Sequence, residues 1–171
     1  YGARHVALKS GVPIERPALT VNRLCGSGIQ SVVSAAHSIG FGEANACLAG
    51  GMENMSQAPH VIRGARSGFR LGEGKLEDSL MVALLDTYCG LYMAQTSDTL
   101  SRQYGITREA MDEYALRSQQ AAAAAEKRGV FAEEIVPVDA PAGRKTVRVD
   151  KDDHPRPDTT REGLAALKPS F

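Results

Sequence analysis

Ala3, Val6 and Ala7 recur at helical spacing with Gly11 close behind, so the chain opens on a short helix. Pro13 and Pro17 mark an irregular connection, after which Ala18 to Leu24 reads as a short strand running into Cys25. Helical spacing returns at Ile29, Val32, Val33 and Ala36, and Gly40 with Gly42 ends it. Ala44 to Ala49 is a nearly unbroken run of mostly small apolar residues, the pattern of a strand covered on both faces of a parallel sheet, stopped by Gly50 and Gly51. Strand and helix alternate through this region, which predicts an α/β layer architecture.

The texture then changes. Pro59 to Lys75 is basic and glycine-rich, with Arg63, Gly64, Arg66, Gly68, Arg70, Gly72 and Gly74 and no stable period, and is expected to be a loop. Met93, Ser97, Leu100 and Tyr104 line one helical face, with Gly105 as the stop. Thr107 is a suitable N-cap for a second helix, whose inner stripe is expected to be Met111, Tyr114, Ala115, Ser118, Ala122 and Ala125. That helix ends in Lys127, Arg128 and Gly129, as the helix dipole and the C-terminal glycine preference ask. Glu134 to Val138 and Lys145 to Val149 are expected to pair as a hairpin across Ala140 to Gly143. No internal repeat is present.

With 171 residues, 43% of them hydrophobic, the chain is long enough for one compact domain that removes roughly two-thirds of its unfolded surface from water. Twenty basic residues cancel twenty acidic ones, so no global field draws the protein to nucleic acid or to an anionic membrane. The three cysteines, Cys25, Cys47 and Cys89, have neither redox-pair nor zinc-ligand spacing. They point to a reducing, intracellular setting and to no metal. No apolar run approaches the ~20 residues that cross a bilayer, and no signal-peptide pattern opens the chain. Tyr1 is an unlikely first residue of a translated chain and the sequence is expected to begin inside an element, while Leu164, Ala165, Leu167 and Phe171 are apolar with nothing after them to cover them. Both ends are therefore expected to be cut.

Cys25 carries the chemistry worth weighing. A lone free cysteine is more often a small, inert core residue. Here Gly26, Ser27 and Gly28 come directly after it, supplying small neighbours and a helix start, and a helix N-terminus favours negative charge. That dipole is worth about 0.3–1 kcal/mol, too little to deprotonate most of a thiol at neutral pH. A second group must take the proton, and histidine is the usual one. None of His5, His37, His60 and His154 has a spacing that marks it for this role.

Three motifs in one order, V-N-R-L-C-G-S-G (Val21 to Gly28), A-G-G-M-E-N-M-S-Q-A-P (Ala49 to Pro59) and H-P-R-P-D-T-T (His154 to Thr160), closely resemble the thiolase family, in particular its degradative 3-ketoacyl-CoA thiolases. The likeness runs from A-R-H-V-A-L to L-K-P-S-F. It implies an α/β fold: part of a layered α/β/α N-terminal domain over residues 1–54, holding the nucleophile strand-turn-helix. It also implies most of an inserted loop domain over residues 55–171, for coenzyme A binding and oligomerisation. In this family the cysteine of C-G-S-G accepts the acyl group as a thioester, which falls on Cys25. Arg156 and Thr159 match coenzyme-A-contacting positions, and a planar, permanently charged guanidinium suits either phosphate or the face of an adenine. Leu84 and Met93 correspond to apolar residues along the pantetheine channel, and Phe171 to a position near the bound nucleotide. Each of these three is also readable as plain core. Tyr92 stands where some biosynthetic members carry a histidine, a departure that tilts the reading toward the degradative branch, and Asn54 replaces a common serine. The basic segment from Pro59 resembles the loop through which some members assemble dimers into tetramers.

The resemblance also implies that an activating histidine in G-H-P, a second cysteine and a water-positioning asparagine lie in a C-terminal half outside these residues, as do the first strands of the N-terminal layer. The implied reaction is thiolysis of 3-ketoacyl-CoA by coenzyme A in fatty acid β-oxidation, or the reverse condensation. It runs through an acyl-cysteine, with no cofactor beyond coenzyme A and acyl-CoA as substrates. The whole subunit is expected to be a homodimer or homotetramer in the cytoplasm or mitochondrial matrix. The rivals are an acetoacetyl-CoA-forming acetyltransferase and, from another class, an inactive coenzyme A binding fragment or assembly module.

Overall fold

The computed structural model describes residues 1–170. Phe171, which the resemblance sets near a nucleotide, lies outside the described residues. The chain divides into two units, Tyr1–Val82 and Ala83–Phe171.

The first unit begins with α1 (Gly2–Lys9), whose C-terminus is closed by Ser10 N–H on the Val6 carbonyl and Gly11 N–H on the Leu8 carbonyl. Gly2 enters the helix against Met52: a Cβ there would stand 2.9 Å from the Met52 sulfur. α2 (Ser27–Gly40) comes next, as the spacing predicts, and ends with Phe41 N–H donating to the His37 carbonyl and Gly42 N–H to the Ile39 carbonyl. Ala18 to Leu24 and Ala44 to Ala49 correct the sequence reading: neither is a strand of any sheet. A strand exists through the neighbour that takes its N–H and C=O groups, and among the described residues no segment offers that neighbour.

The basic segment is more ordered than a loop. β1 (His60–Ile62) pairs antiparallel with β2 (Leu76–Asp78), His60 opposite Asp78 and Ile62 opposite Leu76. Arg63 closes the pair with a 2.7 Å bond to Glu77. Between the strands, Ala65–Ser67 makes a single 3-10 turn, and the Phe69 ring packs on Gly64 and Gly74, 3.6 and 3.8 Å from where a Cβ would be. The glycines thus serve a small aromatic contact, which a period count does not register.

α3 (Ser79–Leu84) leads to β3 (Leu85–Asp86), paired with β4 (Leu91–Tyr92) in a two-rung ladder, Leu85 opposite Tyr92. α4 (Met93–Tyr104) starts with the Gln95 side chain accepting from the Tyr92 N–H at 3.0 Å and stops at Gly105, φ +63°. α5 (Arg108–Lys127) is capped as predicted, the Thr107 hydroxyl accepting from Ala110 N–H at 3.2 Å. β5 (Val138–Ala142) and β6 (Lys145–Val149) form the predicted hairpin with a shifted first strand. Pro141 reads in sequence as a turn residue but sits in the strand opposite Thr146, tolerated because this two-stranded ladder leaves it an open edge. The turn is the two residues Gly143 and Arg144, and Gly143 takes φ +63° in the first position, where a tight hairpin turn wants glycine. α6 (Arg161–Ala165) closes the described chain, its start capped by the Thr160 hydroxyl on Gly163 N–H at 3.0 Å.

α5 is rotated from its expected setting. Its half-covered residues are Arg108, Asp112, Ala115, Leu116, Gln119, Ala122 and Ala123, with Ala125 at the margin. Met111 and Ser118 face solvent, and Tyr114 lies 65% exposed beneath the Arg117 guanidinium, 4.8 Å from its ring centre. At ~100° per residue the covered stripe is turned about a quarter of the way round from the predicted one. Polar partners distant in sequence set this face, and apolar periodicity cannot see them.

The expected core does not form. No described residue is buried, and the chain exposes 14955 Å². A compact monomer of 18.2 kDa would expose about 8,000 Å². The apolar faces of α1, α2 and α4 stay open, with Val32 59%, Phe41 80% and Tyr104 70% exposed.

Candidate functional site

Cys25 occupies a turn built by its neighbours. The Asn22 side-chain oxygen accepts from Leu24 N–H at 2.9 Å. Gly26 N–H donates to the Arg23 carbonyl and Ser27 N–H to the Leu24 carbonyl, both at 3.0 Å. The Ser27 hydroxyl accepts from Arg23 N–H at 2.9 Å and donates to the Leu24 carbonyl at 2.7 Å. Held in this way, Leu24 is the one described residue other than glycine with positive φ, +51°. A branched side chain there costs on the order of 1–3 kcal/mol. The kink ends the extended run and starts α2 two residues after Cys25, leaving the cysteine exposed between the two. Gly28, on the first turn of α2, has nothing within 4 Å of the place a Cβ would fill, so the helix face next to the thiol is open.

Ser27 is thus a brace of the turn. Ser27→Ala is expected to destabilise the whole protein by about 1–3 kcal/mol, because it removes the two hydrogen bonds that hold the turn against the strain at Leu24. Adding Leu24→Gly should recover part of that loss, since glycine takes φ +51° at little steric cost. Urea unfolding of the single and double variants checks this. A double variant less stable than Ser27→Ala would show that the strain is not at Leu24.

In the second motif Asn54 caps a 3-10 turn, Met55–Gln57, its side-chain oxygen accepting from Gln57 N–H at 3.2 Å. A serine could accept the same bond, which accounts for the exchange.

In the second unit the third motif forms a compact bend. Thr159 folds onto Arg156, its N–H and hydroxyl reaching the Arg156 carbonyl at 3.1 and 2.6 Å. The Arg156 guanidinium lies over its own loop, donating to the carbonyls of Asp153 at 2.8 Å and His154 at 2.9 Å. Its backbone N–H is held by the Gln119 side chain at 2.7 Å. Although Asp152, Asp153 and Asp158 are close in sequence, none of the described ion pairs involves Arg156, so its charge is not neutralised. Beside Pro155, Phe131, Ile135 and Pro137 line a shallow apolar groove.

Leu84, the last residue of α3, and Met93, the first of α4, each adjoin in sequence the rung of Leu85 and Tyr92. Both are surface residues here, 39% and 47% exposed. The predicted site residues therefore fall into three groups: Cys25 in the first unit, and Leu84 with Met93 and Arg156 with Thr159 in the second. Ser27 was readable from the sequence as a turn or cap residue, whereas the bracing by Asn22 and Gln119 was missed. The N-x-L spacing of Asn22 could have given an Asx turn, whereas nothing in the sequence ties Gln119 to Arg156. Among the described residues no group of three or more His, Cys, Asp or Glu is placed to hold a metal ion, and no helix is long and apolar enough to cross a membrane.

The thiolase N-terminal domain family matches residues 2–171. The chain belongs to the thiolase family. It is 48% identical over 174 aligned positions to the human mitochondrial 3-ketoacyl-CoA thiolase, covering 100% of this chain and 43% of that protein. To an acetyl-CoA acetyltransferase of Cupriavidus necator it is 46% identical, covering 99% of this chain and 44% of the other. The crystal structure of the human mitochondrial enzyme superposes with a TM-score of 0.93 at 47% identity, over 99% of this chain and 43% of that one. The same enzyme in complex with CoA gives 0.89 at 48% identity, over 99% and 42%. The fold is therefore the α/β fold of thiolases, although two of its expected strands have no ladder here. The chain spans less than half the length of these relatives.

Proposed function

We propose that the whole protein is a thiolase that transfers an acyl group between thiols through Cys25. The observation that carries the reading is the exposed Cys25 on its braced turn, in a chain matched from residue 2 to 171 by the thiolase N-terminal domain. Residues 55–171 form the coenzyme A loop domain in this reading, a division of role that differs from the geometric one at Val82. Its contacts to the substrate are Arg156 and Thr159 for the nucleotide and Leu84 and Met93 for the pantetheine arm. Support comes from the Arg156 charge, which none of the described ion pairs neutralises, and from the relative solved in complex with CoA.

The Cys25 sulfur attacks the 3-keto carbon of a 3-ketoacyl-CoA. The bond from that carbon to C2 breaks, its electron pair stays on C2, and C2 takes a proton, so acetyl-CoA leaves and the acyl group remains on sulfur. The thiol of a second coenzyme A then attacks the thioester, releasing a shortened acyl-CoA and returning Cys25 to its thiol. The backbone N–H of Cys25 takes no part in the hydrogen bonds that brace the turn. It is free to donate to the developing oxyanion, an interaction typically worth ~3 kcal/mol. A histidine and a second cysteine outside these residues would move the protons.

Degradative thiolysis in β-oxidation is favoured by Tyr92, which replaces the histidine of some biosynthetic members. The rival, acetoacetyl-CoA formation, is kept open by the Cupriavidus necator relative. A ladder of 3-ketoacyl-CoA lengths separates them. Thiolysis that rises with chain length, with the matching acyl mass on the Cys25 peptide, is the expected result. Turnover of acetoacetyl-CoA alone would favour the rival, and no acylated Cys25 with any length would leave only a binding module. The ordered β1–β2 segment, with Arg66 and Arg70 exposed, is the proposed assembly surface of a dimer or tetramer. The cytoplasm or the mitochondrial matrix suits three free cysteines.

A further inference from the structure

We infer that Gln119 is a positioning residue for coenzyme A, acting through the backbone of Arg156. The inference rests on the proposed role of Arg156. Three long-range ties join α5 to the 156–167 segment. Gln119 accepts from Arg156 N–H at 2.7 Å. Arg108 donates to the carbonyls of Leu164 at 2.6 Å and Leu167 at 3.1 Å, while Asp112 holds its guanidinium at 2.8 Å. The third, Arg161 to Glu113 at 3.4 Å, joins two exposed side chains and adds little.

Residues 108, 112 and 119 project within about 40° of one another around a helix. This is the half-covered stripe of α5: Gln119 holds the bend, Arg108 reaches the end of α6 and the residues just after it, and Asp112 steadies the Arg108 guanidinium. Arg108 donates to the Leu164 carbonyl, which also accepts from Leu167 N–H, and to the Leu167 carbonyl just beyond the helix. It anchors α6, on the C-terminal side of the motif. Gln119 anchors the motif itself, so the Arg156 backbone is held at its N–H by α5 and at its carbonyl by Thr159. With both ends fixed, the guanidinium hangs from a set origin. Without Gln119 the Arg156 N–H would turn to water and the bend would be held from one side. The guanidinium would then pay an ordering cost each time coenzyme A binds.

The test uses the whole protein with coenzyme A as the varied substrate. Gln119→Met keeps the shape and removes the acceptor, and is expected to raise the KM for coenzyme A about tenfold, with kcat changed less than about twofold. Gln119→Glu retains an acceptor oxygen for the same N–H and should return KM to within about threefold of the parent. Arg156→Ala is measured beside them. If Arg156→Ala leaves KM unchanged, the proposed role of Arg156 fails and the inference goes with it. If Arg156→Ala raises KM while Gln119→Met does not, or if Gln119→Met lowers kcat and leaves KM alone, the inference is overturned and Gln119 is only structural. Should Gln119→Met not fold, Gln119→Ser, too short to reach Arg156 but able to bond water, is read in its place by the same criteria.

Discussion

Cys25→Ala in the whole protein is expected to lower acyl transfer by on the order of 10⁴-fold or more, the scale of losing a covalent nucleophile. Mass spectrometry after mixing with a 3-ketoacyl-CoA should show an acylated Cys25 peptide in the parent and none in the variant. The size of the loss comes from the geometry. The turn leaves the thiol exposed at the N-terminus of α2 beside the open face at Gly28, and neither Gly26 nor Ser27 carries a group that could form a comparable thioester. Ser27 is the one nearby hydroxyl, and it is occupied by bonds to Arg23 and Leu24. Turnover within about tenfold of the parent would sink the assignment, since no intact nucleophile would then be needed.

The 171-residue chain expressed by itself is expected to show no cooperative unfolding transition. No described residue is buried, and 14955 Å² stays in water. The favourable term that offsets conformational entropy is therefore largely missing. Circular dichroism should show helix from α2, α4 and α5 with little fixed near-ultraviolet signal, and the dye ANS should bind the open apolar faces. A single sharp transition in calorimetry, with an enthalpy near the ~120 kcal/mol usual for a domain of this length, would overturn the expectation.

Local order was legible because it is written locally. Thr107, Gly105 and Gly129 punctuate α4 and α5 where sequence rules put them, since a cap and a left-handed stop depend on residues within one turn. The strands at Ala18 to Leu24 and Ala44 to Ala49 were legible as apolar runs but not as sheet, which depends on partners the runs do not contain. The inner stripe of α5 was misplaced for a related reason. Its covered members include Arg108 and Gln119, whose partners are carbonyls and an N–H 37 to 59 residues away, and Asp112, which holds Arg108. Of the candidate site, position was readable and, Ser27 apart, bracing was not. Cys25, Arg156 and Thr159 came from motifs, whereas the strain at Leu24 and the grip of Gln119 on Arg156 needed coordinates.

The hairpin of β5 and β6 has a practical consequence. Its tip is the solvent-facing pair Gly143 and Arg144, and most of both strands is exposed. Exposed loop tips of this kind tolerate added residues well. A short peptide tag or a fluorophore grafted between Gly143 and Arg144 lies outside the bend around Arg156, giving a handle for immobilising the protein.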